Sequence, residues 1–248
     1  WSCNWKKYKL MTLKITSIIL CTYNEANYIE NTISELEKNI PNLEIVIVDD
    51  ASSDGTAEIL RKLSQNNKYK VVFRKKSRNL ASAFVRGLTE TTGDNIGWID
   101  TNMSELASRF PEMINELKSD IDLVLLSRFV EGGGDNRIFI RAFCSKYFNI
   151  FCRVMFRTPI KDLTSSVFLM KRKILDEVTF LGYGHGEFFL EFLYNVYQKG
   201  FKVKEIPYVQ KKDDDISNSK SSPNLIKFFY LGFLYILRVF TTLIRRKN

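Results

Sequence analysis

Along this chain the hydrophobic positions fall into short β-branched runs separated by stretches with helical spacing. Residues 15–20 read as a strand. Residues 24–39 keep a helical period through Ile29, Ile33 and Leu36 and stop before Pro41, and residues 44–48 read as the next strand. The alternation continues with a helix at 57–64, a strand at 70–74, a helix at 81–91, a turn at Gly93-Asp94 and a strand at 95–99. A short helix at 111–117 and a strand at 122–126 follow. This order predicts an α/β fold with a mostly parallel central sheet. Ligands of such sheets bind beyond the carboxyl ends of the strands, so chemistry is expected at residues 21–25, 49–54, 100–104 and 127–134.

Two later segments have a different character. The pattern predicts one helix over Phe139–Phe156, with Arg141, Ser145 and Asn149 at i, i+4 and i+8 and Phe143, Tyr147, Ile150 and Val154 on another side. Both a core-packing helix with a solvated face and a helix lying on lipid headgroups fit this pattern. Residues 225–244 are largely apolar and at 1.5 Å per residue would reach about 30 Å, the thickness of a bilayer core. Arg238 inside the segment argues against crossing, since it would cost about 2.5 to 3.5 kcal/mol near the bilayer centre. The basic residues Arg245, Arg246 and Lys247 would also land on the wrong side of the membrane if the domain is cytosolic. An interfacial helix is the expectation, placing the protein on the cytoplasmic face of a membrane, peripheral or anchored by this helix.

Length and composition set the class. The 248 residues, 45% hydrophobic and 26% charged, suffice for one large domain with an appendage and exclude a mostly disordered chain. The expected division is an N-terminal extension at 1–14, an α/β domain at 15–223 and a membrane-associating helix at 224–248. The net charge of +9 favours polyanionic partners, and between residues 135 and 173 nine basic residues face only Asp135 and Asp162. Nucleic acid is not expected, because no binding motif accompanies the charge. Cys3, Cys21, Cys144 and Cys152 are widely spaced, which suggests neither a zinc site nor a disulfide framework and fits a reducing compartment. His185, the single histidine, sits between glycines and reads as a loop residue without catalytic duty.

The candidate chemistry lies at the strand ends. Asp49 and Asp50 close one strand, with Asp54 before the next helix; Asp100 and Asn102 follow another; Thr22-Tyr23-Asn24-Glu25 follow the first. Asp54 also suits an N-cap and Asp49 a carboxylate buried against backbone donors. Taken together, the three polar ends suit a nucleotide: an aromatic for the base, carboxylates for base and ribose, and oxygen ligands for a divalent cation on phosphate.

Thr22-Tyr23-Asn24-Glu25, Val48-Asp49-Asp50 with Ser52 and Asp54-Gly55-Thr56, Asp100-x-Asn102, Ser127-Arg128-Phe129 with Gly132-Gly133, Arg141 with Ser145 and Asn149, Lys161 to Ser165, and Ser219-Lys220 occur in the order found in family-2 glycosyltransferases. The set most resembles polyprenyl-phosphate sugar transferases of the dolichol-phosphate mannosyltransferase type. The resemblance implies a GT-A-type, Rossmann-like fold, a GDP- or UDP-sugar donor, Mg²⁺ or Mn²⁺, and a polyprenyl phosphate acceptor. It implies that Thr22, Tyr23, Glu25, Asp50 and Asp54 hold the nucleotide, that Asp100 with Asn102 and Ser104 ligates the metal, and that Arg128, Arg141 and Ser145 meet the acceptor phosphate. Asp100 and Arg128 would act in catalysis, and Lys220 would close over the donor. Asn102 and Ser104 stand where the family usually carries an acid and an amide or histidine, which should weaken metal affinity. Two further readings share the fold. One sends the sugar to a glycan or protein hydroxyl, with Glu187 or Glu191 as base; the other is a membrane-bound scaffold with a decayed site.

Overall fold

The computed structural model describes residues 14–75, 79–212 and 225–245. In chain order the elements are β1 (Thr16–Thr22), α1 (Ile29–Asn39), β2 (Leu43–Asp49), α2 (Thr56–Ser64), β3 (Tyr69–Phe73), α3 (Leu80–Leu88) and β4 (Asn95–Trp98). Then come a 3-10 turn at Ser104–Arg109, α4 (Phe110–Glu116), β5 (Leu123–Ser127), β6 (Gly134–Asp135), α5 (Phe139–Phe156), β7 (Phe168–Lys171) and a second 3-10 turn at Arg172–Asp176. The chain ends through α6 (Glu187–Gln198), β8 (Val203–Pro207), β9 (Val209–Gln210) and α7 (Leu225–Arg245).

Seven strands form one sheet in the order β3-β2-β1-β4-β7-β5-β8. All neighbours are parallel except β7, which runs antiparallel to both β4 and β5. The strands are near-continuous apolar runs because helices cover both faces. Along β1, Ile19 joins one core while Ile18 and Leu20 join the other; β5 divides Leu123 and Leu125 from Val124 and Leu126 in the same way. Gly97 lets β4 sit between its neighbours, since a Cβ there would lie 2.7 Å from Ile18 Cδ1 and 2.9 Å from Leu169 Cδ1. The chain turns to the other side of β1 between β3 and β4, so the crevice opens at the carboxyl ends of β1 and β4.

The predicted strands and helices up to residue 126 are present, with ends shifted by a few residues. The largest difference is at residues 24–28, which are expected to be helical but form a turn. Their amide groups are claimed by the β2–α2 loop: Asn24 N donates to Ser52 Oγ, Glu25 N to Thr56 Oγ1 and Ala26 N to Asp54 Oδ2, at 2.9, 2.8 and 3.1 Å. Asn24 takes the left-handed backbone that such a turn needs, with φ of 55°.

Between α5 and α7 the structure adds elements that the hydropathy pattern does not separate. The sequence of α6, EFFLEFLYNVYQ, carries only a narrow polar stripe, Glu187, Glu191 and Asn195 at i, i+4 and i+8, and nine of its twelve residues are buried, both glutamates included. Phe188, Phe189 and Phe192 of α6 join Phe84, Trp98, Phe168 and Phe180 in a stacked aromatic core, with Phe180 and Phe192 centroids 3.7 Å apart and Phe168 and Phe189 4.4 Å apart. Helix α5 spans the predicted residues.

At the opposite end of the sheet from the crevice, Glu44 ties three segments together. It accepts from Lys70 Nζ at 2.7 Å, from Thr92 N at 2.8 Å and from Ser17 Oγ. Burial alone would raise this carboxyl, but the hydrogen bonds from Lys70, Ser17 and Thr92 win and hold it at about 2. A depressed carboxylate contributes stability that is present above its unfolded value and lost as pH falls through its folded value. Glu44→Gln is therefore expected to lower the thermal midpoint at pH 7 and to flatten its decline between about pH 4.5 and 2, read by circular dichroism melts across that range.

Candidate active site

A cleft of about 1520 Å³ lies over the carboxyl ends of β1, β2, β4 and β5. Thr22, Tyr23 and Glu25 enter from β1, Asp50 from β2, Asp100 and Asn102 from β4, Arg128 from β5, and Arg141 and Ser145 from α5. Nine of the residues expected to act together thus share one cavity. Two others stand outside its lining. Asp54 spends its oxygens on Thr56 N and Oγ1 and on Ala26 N, which makes it the brace between the β1 and β2 loops. Ser104 accepts from Asn31 Nδ2 at 2.7 Å on the surface of α1. Lys220 lies outside the described residues.

The nucleotide end is built from paired carboxylates. Asp49 is buried and accepts from Thr22 Oγ1, Ser52 Oγ and Ser52 N, which fixes the β2 loop as the backbone-donor reading anticipates. Asp50 faces the cleft and holds Arg74 in a two-pronged pair at 2.5 and 2.8 Å, with Asn79 N as a third donor at 3.1 Å. Arg74 and Asn79 were not visible as site residues in the sequence, because Arg74 closes a strand and Asn79 caps α3 through Ser82 N. Asp100 sits beside Ser166. Burial pushes its carboxyl up to about 6, a hydrogen bond with Ser166 pulls the other way, and the charge of Glu25 adds to the rise.

The acceptor end is a frame around Arg128. Its Nε and Nη2 both donate to Asp162 at 2.8 Å, Nη2 also reaches Thr164 Oγ1 at 2.7 Å, and its backbone N–H donates to Asp162 at 3.0 Å. The Asp162 turn is held in place by Glu205 of β8, which accepts from the backbone of Lys161 and Asp162, and by Asn149 of α5, which bonds Thr164 Oγ1 and Leu163 N. The edge of Arg128 turned toward Asp162 is fully engaged, leaving Nη1, 3.5 Å from Asp135, as the nitrogen with capacity for a phosphate. Arg137 joins this end unannounced by the sequence. It is gripped by Asp135 at 2.8 and 2.6 Å and donates to Ser145 Oγ at 3.0 Å, so Arg128, Arg137 and Arg141 line one side of the cleft.

Helix α7 closes the far side. Tyr235 projects into the cleft over Gly186, where an added Cβ would lie 2.2 Å from its hydroxyl. Three residues on, Arg238 is only 4% exposed. It pairs with Glu191 at 2.9 Å and Glu187 at 3.8 Å, donates to the Tyr183 carbonyl at 2.7 Å and lies over the Tyr183 ring. Glu187 and Glu191 therefore point toward α7 and are not in the cleft lining, so neither stands where a base for hydroxyl transfer is expected. His185 lines the cleft from a bend, its backbone N–H donating to Glu187.

Comparison with known proteins agrees with this geometry. Residues 17–179 match the family described as glycosyl transferase family 2. The dolichol-phosphate mannosyltransferase of Pyrococcus furiosus is 32% identical over 197 residues, covering 77% of this chain, and the chain spans 55% of that relative's length. The polyprenol monophosphomannose synthase of Mycolicibacterium smegmatis is 24% identical over 86% of this chain and 83% of its own. Among solved structures, glucosyl-3-phosphoglycerate synthase from Mycobacterium tuberculosis, in complex with Mn²⁺, UDP and glucosyl-3-phosphoglycerate, superposes with a TM-score of 0.70 at 17% identity, over 92% of this chain and 80% of that one. The shared fold is GT-A-like.

The Arg128 frame makes a direct prediction. Asp162 is fully buried, and removing one partner of such a pair leaves the other charge unmet, at a cost of about 3 to 5 kcal/mol. Asp162→Ala is expected to destabilise the protein by that amount in urea denaturation, while Asp54→Ala, at an exposed brace, loses about 1 kcal/mol.

Proposed function

The chain belongs to glycosyltransferase family 2, and on that premise we propose that it transfers a hexose, with mannose the first candidate, from a GDP- or UDP-sugar to a polyprenyl phosphate at the cytoplasmic face of a membrane. The observation that carries this reading is the continuity of the cleft. It runs from Asp50 and Asp100 past Arg128, Arg137 and Arg141 into a channel between α5 and α7 lined by Phe148, Phe151, Phe233 and Phe240. Carboxylates at one end suit a nucleotide sugar, arginines in the middle suit phosphates, and an aromatic channel suits an isoprenoid chain. The names of the two relatives point to the same acceptor class.

The chemistry follows from the groups present. A phosphate monoester is mostly doubly ionised near pH 7, its second pKa being about 6, so it needs no protein base. One of its oxygens attacks the anomeric carbon, the new C–O bond forms as the bond to the nucleoside diphosphate breaks, and the leaving diphosphate carries away the electron pair. Attack opposite the leaving group inverts the anomeric centre. Arg128, fixed by Asp162, and Arg137 and Arg141 hold the acceptor phosphate against the repulsion of the diphosphate. Tyr23 and Glu25 take the nucleobase and ribose, next to the Asp50–Arg74 pair. Of the expected metal ligands, Asp100 and the Asn102 amide share the lining and would hold Mg²⁺ or Mn²⁺ on the diphosphate, while Ser104 lies outside it. Among the described residues no group of three acidic, His or Cys side chains gathers to add to them, so few protein ligands would hold the ion. When bound, such a cation would neutralise charge on the departing diphosphate.

Placement at the membrane rests on exposed apolar side chains. Phe139, Phe143, Tyr147 and Val154 of α5 and Phe229, Tyr230, Phe233 and Phe240 of α7 are all exposed, and neither helix carries an acidic residue. Among the described residues no helix is long and apolar enough to cross a membrane. In α7 the Arg238 charge is met by Glu187 and Glu191, which ties the helix to the catalytic domain. Residues 15–223 would be the catalytic domain, and 224–248 would join α5 in meeting the bilayer.

Thermal shift with GDP, UDP, CMP and dTDP, each with and without Mg²⁺ or Mn²⁺, tests the donor half, because a ligand of the native state must raise the midpoint. Stabilisation by one nucleotide is expected, together with sugar transfer to a short polyprenyl phosphate in detergent. Binding by none of the four, with no transfer across a donor panel, overturns the reading. Because protons compete with the cation at Asp100, metal-dependent stabilisation is expected to weaken as pH falls through about 6 and to vanish in Asp100→Asn.

A further inference from the structure

We infer that Arg153 and Arg157, at the C-terminal end of α5, bind the phosphate of an anionic lipid headgroup at a site separate from the transfer cleft. Arg153 lies in the last turn of α5 and Arg157 is its left-handed C-cap, and both line one cavity. With Thr158, Pro159 and Tyr197 they line an open cavity of about 500 Å³, and none of its lining residues belongs to the transfer cleft.

Their pairing sets these arginines apart. Arg74 is bound to Asp50, Arg128 to Asp162, Arg137 to Asp135 and Arg238 to Glu191. Among the described residues, neither the Arg153 nor the Arg157 side chain has a carboxylate partner, and Arg153 Nε is buried without any acceptor. An unmet buried donor is costly, and a guanidinium fork matches phosphate oxygens in geometry and charge.

What surrounds the cavity identifies the source of that phosphate. Ile150 and Val154 line it too, and Val154 is 70% exposed. From there an exposed apolar stripe runs back along α5 through Tyr147 and Phe143 to Phe139, which is 81% exposed. A helix that lays such a stripe at the acyl boundary puts the cations at its margin level with the headgroup phosphates. A soluble anion would need no apolar rim. A bilayer bearing anionic lipid meets both halves of the surface, and α5 itself carries no acidic residue to repel it.

The inference rests on the reading of α5 and α7 as the membrane-facing surface, and the test separates the two. Flotation with vesicles of phosphatidylcholine alone, and of phosphatidylcholine mixed with phosphatidylglycerol, is compared for the full chain and for Arg153→Gln/Arg157→Gln. The wild type is expected to prefer the mixed vesicles, the preference shrinking as salt rises. The double variant loses about fivefold of that preference per residue, while nucleoside diphosphate binding and sugar transfer in detergent stay unchanged. The variant with lysine at both positions recovers only part of the loss, because it keeps the charge without the fork. Equal preference in wild type and double variant overturns the headgroup site. Stabilisation of the wild type by millimolar inorganic phosphate, lost in the double variant and without any vesicle preference, also overturns it in favour of a soluble anion. Failure of the wild type to bind either vesicle while still transferring sugar overturns the membrane placement and the headgroup site with it.

Discussion

The pair between Arg128 and Asp162 is the constraint on which the acceptor half of this protein depends. It joins residues 34 positions apart, from the end of β5 to the turn before β7. Through Thr164 and Asn149 it fixes α5, through Glu205 it fixes β8, and through Asp135 it reaches Arg137 and Ser145. A lone buried ion pair is weak support for stability, because desolvation offsets much of the attraction. Here both oxygens of Asp162 accept several donors, so the charges are met by hydrogen bonds as well as by each other. The consequence is an arginine whose plane is set before any substrate arrives, which is the preorganisation that phosphate recognition at a crowded, anionic centre requires.

A second buried arginine solves a different problem. Arg238 lies in a long apolar helix, where a charge looks like a penalty. In the fold it is satisfied four ways, by Glu187, Glu191, the Tyr183 carbonyl and the Tyr183 ring. Its two carboxylate partners come from α6, the helix whose aromatic side chains join the core. The position of α7, and of Tyr235 in the cleft, is thereby referred to the same core that supports β4 and Asp100. Arg245 adds a further contact to Glu191 at 2.8 Å and lies over the Tyr183 ring, extending the grip along the last turns of α7.

Much of this was legible in the chain. Apolar runs ending in Asp50, Asp100 and Ser127-Arg128 disclosed both the sheet and the side of it that carries chemistry, since polar groups at strand ends have few other uses in an α/β core. What stayed hidden was pairing. Arg74 and Arg137 read as ordinary surface cations until the fold brings Asp50 and Asp135 to them. Asp162 stands within a recognisable motif, but its partner is remote in sequence. Helix α6 escaped because its narrow polar stripe, Glu187, Glu191 and Asn195, reads as scattered polar residues in an aromatic run until the fold sets the two glutamates against α7. The turn at 24–28 escaped because its amides are taken by Ser52, Asp54 and Thr56, contacts that no local pattern encodes. Arg238 was legible only as a cost, because the two glutamates that receive it are remote in sequence and meet it only in the fold.

The antiparallel insertion of β7 between β4 and β5 carries a consequence for biosynthesis. As the chain leaves the ribosome, β1 to β4 can assemble early, yet one edge of β4 has no neighbour until residues 168–171 emerge. Strand β5 is made earlier but cannot dock, because its only route into the sheet is through β7 and β8. At about 5 to 20 residues per second, that bare edge persists for roughly 4 to 14 seconds of translation. During this interval Ile96 and Trp98 sit on an open strand margin, the kind of surface that recruits chaperones or a second nascent chain. The same interleaving implies that the acceptor half has no independent existence. A fragment ending before β7 would hold a nucleotide crevice with one wall, and a fragment beginning after β4 would hold a sheet without its centre.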